Sequence, residues 1–147
     1  MKSFFEETTY NEVLQRVRSL HQGSERKWGK MTVGQMVWHC QYPLEIAIEN
    51  KKGGKKGNPL IRWFFKKSLY NDTLWRKNLP TTPKAKAMEE KDFITERKKL
   101  EQLLHDLYAL RERTEWNPHP LFGSFTHEQW GQLEYKHLDH HLRQFGV

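Results

Sequence analysis

The stretch THEQWGQLEYKHLDHHLRQF, residues 126–145, decides how this chain folds. Thr126 followed by Gln129 has the spacing of a capping box, in which each side chain satisfies a backbone N–H that the first helical turn leaves open. At 100° per residue, Trp130, Glu134, His137, His141 and Phe145 fall within a stripe about 80° wide. Leu133 and Leu138 flank that stripe, and Lys136, Asp139 and Arg143 lie opposite. A helix with this pattern turns its large apolar residues inward, and here they carry two imidazoles and a carboxyl group with them. His140 sits about 80° off the stripe, which suits a supporting or surface role.

Three further segments have helical periodicity. The first runs from about Tyr10 to Leu20, with Thr9 and Glu12 at capping-box spacing and Val13, Leu14, Val17 and Leu20 in an apolar stripe. The second opens at MTVGQMVWHC, where Thr32 and Gln35 repeat the box; its expected inward face is Met36, His39, Pro43 and Ile46. The third, from about Phe93 to Arg113, aligns Phe93, Leu100, Leu103, Leu104, Leu107 and Leu110. No segment alternates apolar and polar residues between turn signals, so strands are not expected. The fold class is therefore all-α: a four-helix bundle forming a single domain over residues 1–147, with a long crossover between the second and third helices.

That crossover carries the charge. The chain has 25 Lys and Arg against 18 Asp and Glu, a formal net charge of +7. Between Lys51 and Lys86 stand eleven cations against Asp72 alone, about +10, which leaves about −3 for the rest. Within it, KKGGKKG reads as a flexible loop, and Pro59 suits the first turn of a short extra helix to about Tyr70. LPTTPKAKAME reads as an extended return path. No apolar run approaches the ~20 residues that span a bilayer, and the N-terminus lacks a signal-peptide core. A cytoplasmic location is the expectation, and the single Cys40 agrees with a reducing compartment. One cysteine also excludes a multi-thiolate metal site.

Two imidazoles and a carboxyl group facing a core need partners, because unpaired buried polarity costs several kcal/mol. Histidines at i and i+4 can place two ring nitrogens on one metal ion. His39 is the natural third ligand, since it lies mid-stripe on another helix. Pro43 there removes the N–H that would bond the His39 carbonyl, an irregularity of the kind that accompanies sites. The alternative for His39 is a hydrogen-bonded core histidine. Glu134 is open between orienting a ligand or moving protons and pairing with a lysine at the surface. Cys40 points about 100° away from His39, which favours packing. His21, His105 and His127 lie near helix ends or off the core stripe.

KWGKMTVGQMVWHCQ (residues 27–41) and HPLFGSFTHEQWGQLEYKHLDHHLRQFG (residues 119–146) together resemble the DinB/YfiT-like superfamily of metalloenzymes, in a branch with the C-terminal signature H-x-x-H-H-L-x-Q-F. The resemblance covers nearly the whole chain and is weakest in the Lys/Gly crossover. It implies an up-down-down-up bundle and a divalent ion held by His39, His137 and His141. By similarity it also implies a thiol-dependent S-transferase or isomerase using a low-molecular-weight thiol, with metal-assisted hydrolysis beside it. Imidazole suits several metals, with zinc or nickel ahead of iron or manganese. The competing class is a non-catalytic binding protein. Its crossover, residues 51–86, interleaves Arg62, Lys66 and Lys67 with Trp63, Phe64 and Phe65, a pattern that suits nucleic acid or another anionic partner. Those aromatics could equally fold back over the metal pocket, and nucleic acid is the less expected partner. A homodimer through a helix face would be ordinary for a bundle of this size.

Overall fold

Helix starts are set by the side chains that close their open N–H groups, and in the computed structural model three of the four starts have such a cap. The structure describes residues 1–49 and 65–147. Within them lie four α-helices: α1 Glu7–Ser19, α2 Val33–Glu49, α3 Phe93–Ala109 and α4 His127–Gln144. Two short 3-10 turns, Lys66–Leu69 and Pro83–Ala85, stand in the crossover. The described residues form no strand; the one extended pairing among them is an isolated bridge between His119 and Gly123. The loop expected over KKGGKKG and most of the helix expected from Pro59 lie outside the described residues.

Both capping boxes with glutamine form as expected. Gln35 N–H donates to Thr32 Oγ1 at 3.3 Å, and Thr32 N–H donates to Gln35 Oε1 at 3.0 Å. Thr126 and Gln129 exchange the same pair of bonds at 3.2 and 3.0 Å. The third cap has a signal that periodicity alone passes over: Asp92 accepts from Thr95 N–H at 2.9 Å. The expected box at Thr9 does not form, and α1 begins three residues earlier. Thr9 instead donates its hydroxyl to Glu6 Oε2 at 3.0 Å, and Glu12 is drawn to Arg16.

The apolar stripes meet in one core, which includes Val13, Val17, Met36, Val37, Leu44, Leu100, Leu104, Leu107, Trp130 and Leu138. Both α1 and α2 pack against α3 and α4. The face of α2 is rotated from the expected one. Met36 and His39 are buried, but Pro43 and Ile46 are half-buried, and Val37, Cys40, Leu44 and Ala47 fill the core instead. Two neighbours at once widen the buried arc beyond a single stripe. Close contact with α3 also depends on Gly34, where an added Cβ would stand 2.1 Å from the Lys91 carbonyl oxygen.

Lys136 is a second departure. Its position opposite the core stripe suggested solvent, yet it is buried, and its ammonium group donates to Ser68 O, Asn71 O and Asn71 Oδ1, each at 2.7 Å. The crossover lies over this side of α4. A strongly hydrated cation loses its water there and takes three oxygens in exchange.

Candidate metal centre

His39 comes from the middle of α2, and His137 and His141 from successive turns of α4. All three are buried, at 6, 9 and 8% exposure. One nitrogen from each ring lies within 4.8 Å of the other two, in a group that contains these three residues alone. Ring centroids are 4.6–5.0 Å apart. The α-helical i, i+4 spacing accounts for the pair on α4, and α2–α4 packing brings in the third.

Hydrogen bonds decide which nitrogens face inward. The Nδ1–H of His39 donates to the Ala85 carbonyl at 2.7 Å, in the second 3-10 turn. That of His141 donates to Gln144 Oε1 at 2.9 Å, and the Gln144 amide in turn donates to Trp28 O at 2.8 Å. With Nδ1 as the donor, each ring presents a bare Nε2 lone pair to the centre. The Nε2 atoms of His39 and His137 are 3.1 Å apart. Two nitrogens each about 2.0–2.1 Å from one tetrahedral ion would be separated by roughly that distance. Burial lowers the pKa of all three rings, that of His141 to about 3, and for His137 and His141 the neighbouring imidazoles act in the same direction. Neutral imidazoles are what a metal needs. Three buried histidines are thus close enough to hold an ion, and they are in the right protonation state to do so.

The outer wall is aromatic and cationic. Trp75 stands edge-on to His137 at 6.1 Å and lies 5.7 Å from His140; Trp28 is 5.9 Å from His140. Lys77 sits over Trp28 and Lys136 over Trp75. His140, half-buried and 5.1 Å from the His141 ring, belongs to this wall. None of the three clustered histidines lines either of two surface grooves, of about 790 and 260 Å³. The larger of the two lies between the α1–α2 connection and the start of α3, away from the histidines.

Glu134 is fully buried, and neither carboxyl oxygen has a hydrogen-bond partner among the described residues, which removes the surface ion pair as a reading. Burial pushes its pKa up to about 8. Cys40 is packed with its Sγ 3.7 Å from Met36 Sδ, and burial, with Glu134 nearby, pushes its thiol well above the usual range. A thiol held protonated is a core group and not a nucleophile.

The remaining histidines stand apart. His21 and His105 are exposed, the latter bonded through Nδ1 to the Tyr10 hydroxyl, and His127 stacks on Phe5 at 4.3 Å. His119 lies in the loop before α4, outside any helical stripe. It is buried against Phe122, Phe125 and Trp130; its Nδ1 accepts from the N–H of Leu121 and of Phe122, and burial lowers its pKa to about 4. Its signal, a histidine between two prolines in a loop, has no periodicity to read. Gln144 was readable, three residues after His141 on the same helix, whereas nothing local marks Ala85, Trp28 or Trp75.

Fold and site together define an all-helical protein with a buried three-histidine cluster able to hold a metal ion. The chain belongs to DUF1569, a family of proteins of unknown function, whose model matches residues 4–146 and so takes in all three histidines. No curated protein and no solved structure matches the chain. Among the described residues, no helix is long and apolar enough to cross a membrane.

Proposed function

We propose that this protein is a metal-dependent enzyme of DinB/YfiT-like type, with the up-down-down-up helix order of that superfamily. His39, His137 and His141 hold a divalent ion, zinc or nickel before iron or manganese. The observation that carries the reading is the number of ligands: three buried, neutral imidazoles converge, and among the described residues no fourth metal-ligating side chain joins them. Structural zinc sites are closed by four protein ligands, whereas catalytic ones keep a position for water or substrate. Bound there, such an ion would act as a Lewis acid and favour the deprotonated form of a coordinated water or thiol. The protein's own part is to exclude bulk water with Trp28 and Trp75 and to fix the rings through Ala85 and Gln144.

Transfer of a low-molecular-weight thiol to an electrophile is the leading reaction, with metal-assisted hydrolysis next. The test starts with elemental analysis of protein purified without a metal-affinity column. Metal-loaded and metal-free protein are then assayed for conjugation of several small thiols to a chromogenic electrophile. Conjugation by the loaded form alone is the expected result. Equal rates for both forms would remove S-transfer, and a metal content near zero would remove the metal centre.

A second reading has one observation in its favour. Arg76, Lys77, Lys84 and Lys86 are all exposed on the segment that covers the site. A binding protein would use them on nucleic acid or another anionic partner, and nucleic acid retained at low salt and released at high salt would favour that reading.

A further inference from the structure

Each ring in the centre has two nitrogens to satisfy. His39 and His141 each have an acceptor at Nδ1. His137 does not: its Nδ1 is buried and has no partner among the described residues. One helical turn earlier on α4, both carboxyl oxygens of Glu134 are in the same condition, and one turn before that so is the indole N–H of Trp130. Both Glu134 and Trp130 are almost wholly buried, at 0 and 2% exposure. Residues 130, 134 and 137 share one face of the helix, so the three unpartnered groups belong to side chains on successive turns of that face.

The hydrogen count closes on these three residues. With Nε2 directed at a cation, His137 carries its proton on Nδ1 and can only donate there; an indole also only donates; a carboxylate offers two accepting oxygens. Without a cation the match persists. The bare Nε2 of His39 then requires His137 to donate from Nε2 across the 3.1 Å contact. His137 Nδ1 becomes an acceptor, and a protonated carboxyl group can donate to it. A carboxyl group can thus serve either tautomer.

We infer that Glu134 is the positioning residue for His137. Its carboxyl group bonds to the Nδ1 of His137 and so aims Nε2 at the point shared with His39 and His141, while its second oxygen accepts from Trp130. Glu134 is not a fourth ligand, since the close group of ligand atoms comprises the three histidines alone. The inference rests on the metal-centre reading above. It gives a buried acid that packing alone would replace by leucine or methionine a reason to be where it is.

The experiment compares full-length wild type with Glu134→Gln and Glu134→Met, using cobalt(II) as the probe. Affinity is read by competition with a chelator, ligand geometry by the visible cobalt spectrum, and fold by melting of the metal-free protein. Glu134→Met is expected to melt no lower than wild type yet to bind cobalt about 10–100-fold more weakly with a changed spectrum. Glu134→Gln, whose amide can still bond to His137, stays within a few-fold of wild type. A Met variant with wild-type affinity and spectrum overturns the positioning role and leaves the three-histidine centre standing. Wild type that binds no cobalt overturns both. Should Glu134→Met fail to fold, nitrogen-15 spectra of the zinc-loaded wild type decide: a protected Nδ1 proton on His137 supports the role, and a rapidly exchanging one overturns it.

Discussion

His39, His137 and His141 differ from the other histidines in converging on one point, and that difference is measurable. Alanine at any one of them leaves two imidazoles, so metal affinity is expected to fall by orders of magnitude. His140→Ala, in the outer wall, should cost at most the ~10–100-fold typical of a supporting residue, and His105→Ala almost nothing. Metal stoichiometry and affinity of each variant at about pH 7.5 check this; full, tight loading of His39→Ala would refute a two-helix site. Protonation supplies a second residue-scale prediction. His39, His119, His137 and His141 are all held below the ordinary value of 6.5. Below pH 6.5 the unfolded chain takes up protons that the folded one refuses, so their stabilisation is present above that pH and is lost as it falls. Glu134 acts in the opposite sense. Held at about 8 against an ordinary value near 4.5, it favours the folded state at low pH and loses that effect as pH rises towards 8. Metal-free protein should therefore be most stable near pH 6.5, and Glu134→Gln should flatten the alkaline side. Denaturation midpoints from pH 4 to 9 test it, and a wild-type midpoint still climbing between pH 7 and 8 would contradict the placement of Glu134.

At the scale of elements, capping and close approach matter most. Gly34 lies inside α2, where glycine costs a helix up to ~1 kcal/mol relative to alanine. Gly34→Ala should nevertheless destabilise, by about 1–3 kcal/mol as overpacking does, because its Cβ would meet the rigid Lys91 carbonyl. Thermal melting of the variant decides, and a raised melting temperature would mean that α2 and α3 can part without loss. Thr32 and Thr126 were legible as caps because a box needs only four consecutive residues. Thr9 misled for the same reason: its spacing with Glu12 fits a box, but Glu6 lies one turn earlier and takes its hydroxyl.

For the whole molecule, the question is whether the ion holds the fold together. All four helices contribute to one apolar core, which small metal-dependent domains lack. Chelation should lower the melting temperature of loaded protein and leave the helical circular dichroism at room temperature largely intact. Collapse of the helical signal on adding chelator would show that the core is insufficient by itself. The crossover adds to this scale, since Lys136, Trp75 and Ala85 tie residues 68–85 to α4 and to His39.

Helical period and capping spacing, read from the chain alone, were enough to identify four helices without strands, the buried face of α4 and the candidate trio. The reason is locality: within one helix, the direction of a side chain follows from its position in the turn. Everything that depends on the path between helices was decided by the tertiary structure. Lys136 is buried because carbonyls 65 and 68 residues away in sequence close over it. His39 has its Nε2 turned inward because the Ala85 carbonyl, 46 residues on, takes its Nδ1 proton. The arc of α2 is wider than its stripe because two helices pack on it. A period reports angles about one axis; which distant groups come to rest against that axis is set by packing the whole chain.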